Sequence, residues 1–295
     1  MGAAENVRVF PGAAKPLIRP ARHDPEIHGI DGLGGVEGLP PSDQEEVVAR
    51  LRVNGVTVRA IEGIANAVRK TWNEGLGSKI TIISSGPMTN IALFVSVFPE
   101  LLGGIGATVL PSFEACLLNF ATDELVFMGG GVGIGNRSSA AAEAAQIVLD
   151  TPVKKTMIPL NVTHTAIVTK GVHTKILSPT DQFKDERDAL PPASTLLRHM
   201  LSTLLNYFAS SYESTFGFMQ GPPIHDALTV AYVSRPELFA CRRFRVDVEL
   251  SGNHTAGETV VDMWNYRSCD DSWGPAGKNC VVAESLNVRD DILVQ

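Results

Sequence analysis

Residues 221–232 read GPPIHDALTVAY, with His225 and Asp226 side by side just ahead of an apolar run. An imidazole can exchange a proton near neutral pH, and a carboxylate can ligate a hard cation. The pair can also be no more than a helix start, with Asp226 favouring the positive end of the helix. A second histidine, His28, lies in the glycine-rich stretch IHGIDGLGG (27–35). It reads either as a loop residue or as part of a mobile cover over a site. The stretch GGGVGIGN (129–136) would let backbone approach a small polar ligand, with Asn136 presented at its end. It is not a dinucleotide fingerprint, because no three of its glycines have the G-x-G-x-x-G spacing and no acidic residue follows a second strand at the right distance. The phosphate-binding pattern GxxxxGK[ST] is absent as well.

Such residues need elements to position them. The first forty residues are rich in glycine and proline and read as irregular loop. A helix is predicted over 43–54 and another over 58–73, where Ile61, Ile64, Ala65, Val68 and Trp72 share one face. KITIIS (79–84) reads as a short buried strand, followed by GPMTN and the helical run IALFVSVF (91–98). ELVFMGGG (124–131) is a strand running into glycines. KTMIPLN (155–161) is another strand, with a helix predicted from His164. A long helix is predicted over 192–216, its positions Leu196, Leu197, Met200, Leu204, Leu205 and Phe208 being assigned to the core. Alternating strands and helices with short turns imply an α/β fold, an open and mostly parallel sheet with helices on both faces. Ligands of such sheets sit at the carboxyl ends of the strands. The stretches 85–90, 129–136 and 161–164 fall there.

The bulk properties narrow the partners. A net charge of −7 with no Lys/Arg block argues against a nucleic-acid surface. The four cysteines, Cys116, Cys241, Cys269 and Cys280, form no CxxC, so neither a zinc site nor a disulfide framework is indicated, and free thiols suit a reducing cytoplasm. The run at 91–98 is too short to span a bilayer, and the first residues contain no signal-peptide core. Asn136, Asn161 and Asn253 head Asn-x-Ser/Thr sequons, read here as chance.

Seven blocks in order are more specific than any of these features alone. IHGIDGLGG, GPMTNIA, FPELL, VFMGGGVGIGN, MIPLNVTH, GPPIHDALTVAYVSRPELF and GETVVDMW resemble the inosine-uridine-preferring nucleoside hydrolase family in its eukaryotic-microbial form, from about Val9 to Asp262. The resemblance implies a single nucleoside hydrolase domain and a calcium-dependent enzyme that cleaves the N-glycosidic bond of ribonucleosides. It also implies a cytoplasmic role in nucleoside catabolism and purine salvage; family members are often dimers or tetramers, and the sequence leaves open whether this chain forms such a homo-oligomer. On this resemblance His225 stands beside the leaving base and Asp226 ligates calcium, as does the backbone carbonyl of Ser85. Asn136 contacts the ribose, His28 lies on the base side, and Glu143 matches a glutamate that binds ribose hydroxyls.

Three departures qualify it. The family opens with a strand ending in DxDxxxDD, which supplies calcium carboxylates and the general base, and this chain shows no counterpart. The first strand, with a strand–helix–strand unit, is therefore expected to be missing. The segment 106–123 matches nothing in the family and reads either as an added surface loop or as translated intron, whose length it suits. The family motif AEFN is shortened to AAAEAAQIV (140–148), so Glu143 could belong to either side of a deletion. The expectation is weak calcium binding and slow or absent hydrolysis. The alternatives are a non-catalytic relative that binds nucleosides or a protein partner, and a structural α/β domain.

Overall fold

The computed structural model describes residues 7–41, 43–53, 55–106, 124–134, 141–180 and 189–287. The atypical segment lies outside the described residues except for Gly106, as do Asn136 and Cys116. Two compact units form: residues 1–21, 49–163 and 225–295 make one, and 22–48 with 164–224 make the other.

The first unit is built on a five-stranded sheet. Its helices and strands begin with α2 (Glu45–Arg50, whose last two residues belong to this unit), β1 (Arg52–Val53), β2 (Val56–Thr57) and α3 (Ala60–Trp72). Then come β3 (Ile82–Ser84), α4 (Thr89–Val97), β4 (Leu125–Met128), α5 (Ala142–Asp150), β5 (Lys155–Ile158) and α6 (Leu160–Thr163). The chain returns to this unit with α9 (Ala227–Ser234), β6 (Phe239–Phe244), β7 (Val246–Val248), β8 (Thr259–Val261) and β9 (Cys280–Leu286). The sheet order is β3-β4-β5-β9-β6, parallel from β3 to β9, with β6 antiparallel at the edge.

Both sheet faces are covered, which is why β5 is buried at all four positions and does not alternate. Leu125, Phe127 and Met157 point into the larger core with Ala65, Val68, Phe94 and Val148 from α3, α4 and α5. Val126, Ile158 and Ala283 point into a smaller core with Val162 and Tyr232. The period-two split of each strand between two cores is what a pleated, doubly covered strand requires. Lys155 is fully buried, and its Nζ donates to the carbonyls of Thr151, Val153 and Trp273 at 2.6–2.9 Å. Burial holds that ammonium down to about 8.

Several local expectations are corrected. The helix predicted over 43–54 ends at Arg50, because Gly55 with φ +79 turns the chain into the β1–β2 hairpin. The predicted helix from His164 is replaced by the single turn α6 before it and by α7 (Lys170–Leu177), capped by Thr169, after it.

The second unit contains α1 (Pro25–His28), α7 and α8 (Leu196–Phe216). The helix predicted from 192 starts at Leu196, with the Thr195 hydroxyl accepting from Arg198 N–H. Its leucines are not core: Leu196 is 67% exposed and Leu197 39%, and the fully buried positions are Ser202 and Ser211. Both serines have polar partners, Ser202 with His173 Nε2 at 2.8 Å and Ser211 donating to the Glu26 carbonyl at 2.7 Å. The small hydroxyl side of α8 therefore receives α7 and α1, while its leucine stripe does not set the packing.

Candidate functional site

The carboxyl ends of β3, β4 and β5 lead into three segments. After β3 comes Ser85, exposed, ahead of the Gly86–Met88 turn and α4. After β4 comes the glycine loop 129–134. After β5, a proline and then α6 follow directly.

The turn α6 ties the ends of β4 and β5 together. Leu160 N–H donates to the Gly130 carbonyl at 2.9 Å, and Gly129 N–H to Ile158 at 3.2 Å. Asn161 uses both ends of its side chain on one residue of the loop: Oδ1 accepts from Val132 N–H at 2.8 Å, and Nδ2 donates to the Val132 carbonyl at 3.0 Å. Thr163, fully buried, places its Oγ1 2.8 Å from His225 Nδ1. The same hydroxyl has the Leu160 carbonyl at 3.4 Å for its proton. Which of the two groups donates in the 2.8 Å bond depends on the imidazole tautomer.

His225 and Asp226 begin α9. Asp226 is its N-cap residue without a side-chain cap bond, while its carbonyl accepts from Thr229 Oγ1 at 2.6 Å. α9 packs on β3 and β4, which puts the pair in the same unit as Ser85 and the glycine loop.

Glu143 lies in the first turn of α5, where its Oε1 accepts from Arg19 Nε at 2.7 Å. Arg19 also donates to the Leu250 carbonyl. Glu143 therefore has a cationic partner within the fold, which residue types and spacing did not reveal. His28 belongs to the second unit. It ends α1 and meets Phe208 edge-on at 5.8 Å. Its loop is closed by Asp31, whose carboxylate accepts from Leu33 and Gly35 N–H, and these bonds hold that carboxyl below its usual value. Asn136 lies outside the described residues.

The donors available to a metal are few. Among the described residues, no three His, Cys, Asp or Glu side chains gather around one position. Asp226 and the Ser85 carbonyl are oxygen donors of the kind calcium takes, but calcium needs about six to eight. The described residues match that ion in donor type and not in number. Asn161 and Thr163 were not singled out as site residues from the sequence, although the stretch 161–164 was placed at a strand end. Their role depends on partners 29 and 62 residues away.

Residues 1–290 match the family model described as inosine-uridine preferring nucleoside hydrolase. The chain belongs to that family. A relative in Dictyostelium discoideum, named "probable ribonucleoside hydrolase", is 31% identical over 289 residues, 95% of this chain and 73% of the relative. The pyrimidine-specific ribonucleoside hydrolase RihA of Escherichia fergusonii is 32% identical over 266 residues, covering 88% of this chain and 71% of its own. Among solved structures, a purine-preferring ribonucleoside hydrolase from Gardnerella vaginalis superposes with a TM-score of 0.68 at 23% identity, covering 96% of this chain and 76% of the other. An inosine-guanosine nucleoside hydrolase gives 0.69 at 20% identity, covering 98% and 79%. These structures share the nucleoside hydrolase fold, an α/β architecture around a mostly parallel sheet, as the strand order predicts. The family's enzymes are hydrolases of a glycosidic bond in ribonucleosides. Among the described residues no helix is long and apolar enough to cross a membrane.

Proposed function

We propose that this nucleoside hydrolase acts on ribonucleosides, with water, to give ribose and a free purine or pyrimidine base. The observation that carries the reading is the seating of His225–Asp226 at the start of α9, with the imidazole bound to buried Thr163 beside the strand ends. Breaking an N-glycosidic bond passes through an oxocarbenium-like ring and an electron-rich leaving base. A fixed imidazole next to the base assists its departure by hydrogen bonding. A carboxylate one residue on supplies negative charge for the ribose side. By resemblance to the family, His28 is assigned to the base, and Asn136 and Glu143 to the ribose.

Calcium belongs to it as a weakly held ion, with Asp226 and the Ser85 carbonyl as ligands. Because these two donors, among the described residues, fall well short of a closed shell, the chain is proposed to bind calcium poorly and to turn over slowly. The segment 106–123 is proposed as an addition to a single nucleoside hydrolase domain. A cytoplasmic enzyme of nucleoside catabolism and purine salvage, acting as a homo-oligomer, is part of the same proposal and is supported by family resemblance alone. The Arg19–Glu143 pair favours one second reading, a non-catalytic relative that binds nucleosides or a protein, since a carboxylate assigned to ribose is already engaged.

The test is release of reducing sugar from inosine and uridine at saturating calcium, for the wild type and for His225→Ala and Asp226→Asn, with calcium calorimetry alongside. Slow release that both substitutions abolish supports the hydrolase. No release from any ribonucleoside, with nucleoside binding retained, supports the second reading. Stoichiometric calcium binding at micromolar affinity overturns the weak-metal part.

A further inference from the structure

We infer that Asn161 is a positioning residue whose carboxamide holds the loop after β4 in the shape that receives the ribose half of the substrate. The inference rests on the reading of the chain as a ribonucleoside hydrolase. The loop is fastened in two different ways along its length. Near β4, Gly129 and Gly130 are held by backbone bonds to Ile158 and Leu160. At Gly130 the fit is tight, because an added Cβ would stand 2.7 Å from Thr259 Oγ1 and 3.1 Å from Met157 Sδ.

One step further, the fastening is a side chain. Asn161 meets Val132 as a second strand would, accepting from its N–H and donating to its carbonyl. Val132 also packs against the larger core, so backbone and side chain are held together. On either side of these anchors the loop is open. An added Cβ at Gly129 or Gly133 would meet nothing within 4 Å. Packed at 130, clamped at 132 and open at 129 and 133, the loop offers bare backbone toward free space at a strand end, which is where ligands of such sheets bind. The carboxamide satisfies both Val132 groups from one short side chain, with separate donor and acceptor atoms. An aspartate would keep the bond from Val132 N–H and set a charged oxygen against the Val132 carbonyl.

The experiment uses the full chain at saturating calcium, with the wild type, Asn161→Ala and Asn161→Asp. Two probes are titrated: a cationic ring-nitrogen analogue of ribose, which mimics the oxocarbenium-like ring, and the free base hypoxanthine. Hydrogen exchange is read at residues 129–134, and melting temperature is recorded. Losing two hydrogen bonds predicts that Asn161→Ala binds the ribose analogue about 10- to 30-fold more weakly. Base affinity should stay within about twofold, with faster exchange at Val132 and Gly133. Asn161→Asp should shift the same way by less. Unchanged ribose-analogue affinity in both variants overturns the inference and leaves the hydrolase reading standing. An equal loss for both probes, matched by a fall in melting temperature, also overturns it, since that marks general destabilisation. A wild type that binds neither probe overturns the hydrolase reading and this inference together.

Discussion

Thr163→Val isolates what the fold does for His225. Valine has nearly the same shape as threonine, and position 163 is fully buried, so the change removes a hydroxyl without opening a cavity. Lost with it is the 2.8 Å bond to His225 Nδ1. The 3.4 Å contact to the Leu160 carbonyl is long enough to contribute little. A neutral hydrogen bond of this kind is worth about 1 kcal/mol, and a half-buried ring nitrogen left without it raises the cost to about 1–2 kcal/mol. For a chain of this size that corresponds to a melting temperature lower by roughly 3–6 °C. The same energy, felt as a looser hold on the ring's working orientation, lowers kcat/KM about 5- to 30-fold. The assay compares inosine with p-nitrophenyl riboside, whose leaving group departs as a stable anion and needs no hydrogen bond. The inosine reaction should carry the loss, the nitrophenyl reaction should change little, and His225→Ala should show the same contrast more strongly. Thr163→Ser keeps the hydroxyl and should recover most of the inosine rate. The reasoning is refuted if valine slows both substrates equally, or if serine fails as badly as valine.

Other expectations follow from equally specific contacts. Burial in the sheet pushes the Cys280 thiol up to about 12 from an ordinary 9.0. An acid held neutral in the fold but free to ionise when unfolded withdraws stability as pH rises from about 9 towards 12, so melts should lose about 1 kcal/mol between pH 8 and pH 10, and Cys280→Ala should lose less. Gly34→Ala would drive a methyl to 2.3 Å from the Tyr207 ring at a backbone φ of +63, so the loop 25–35 should detach from α8 and exchange its amides faster by hydrogen exchange. Arg19→Ala should leave the melting temperature nearly unchanged, since a partly exposed ion pair contributes about 0–1 kcal/mol. If Glu143 faces the ribose, the same substitution should tighten binding of the ribose analogue, which a titration against wild type would show.

Local order was legible in the chain wherever one apolar period dominated. The face of α3 follows from residue spacing, because a helix that buries one face must repeat its apolar residues at the helical period, while β4 and β5 were legible as short apolar runs bounded by turn residues. The strand-then-glycine pattern placed the loop 129–134, and His225–Asp226 was visible as chemistry ahead of an apolar run. The leucine stripe of α8 misled, because an apolar period shows which residues share a face and not what covers it. The serines that receive α7 and α1 carry no hydrophobic signal. Nor did the spacing announce that β9, near the end of the chain, would lie between β5 and β6. Pairings across long stretches of sequence decided the remainder: Asn161 with Val132, Thr163 with His225, and Arg19 with Glu143, 124 residues apart. Each is a polar contact whose value comes from the partner's position in space. Residue types set what chemistry was available, and tertiary packing decided which partner each imidazole, carboxamide and carboxylate would find.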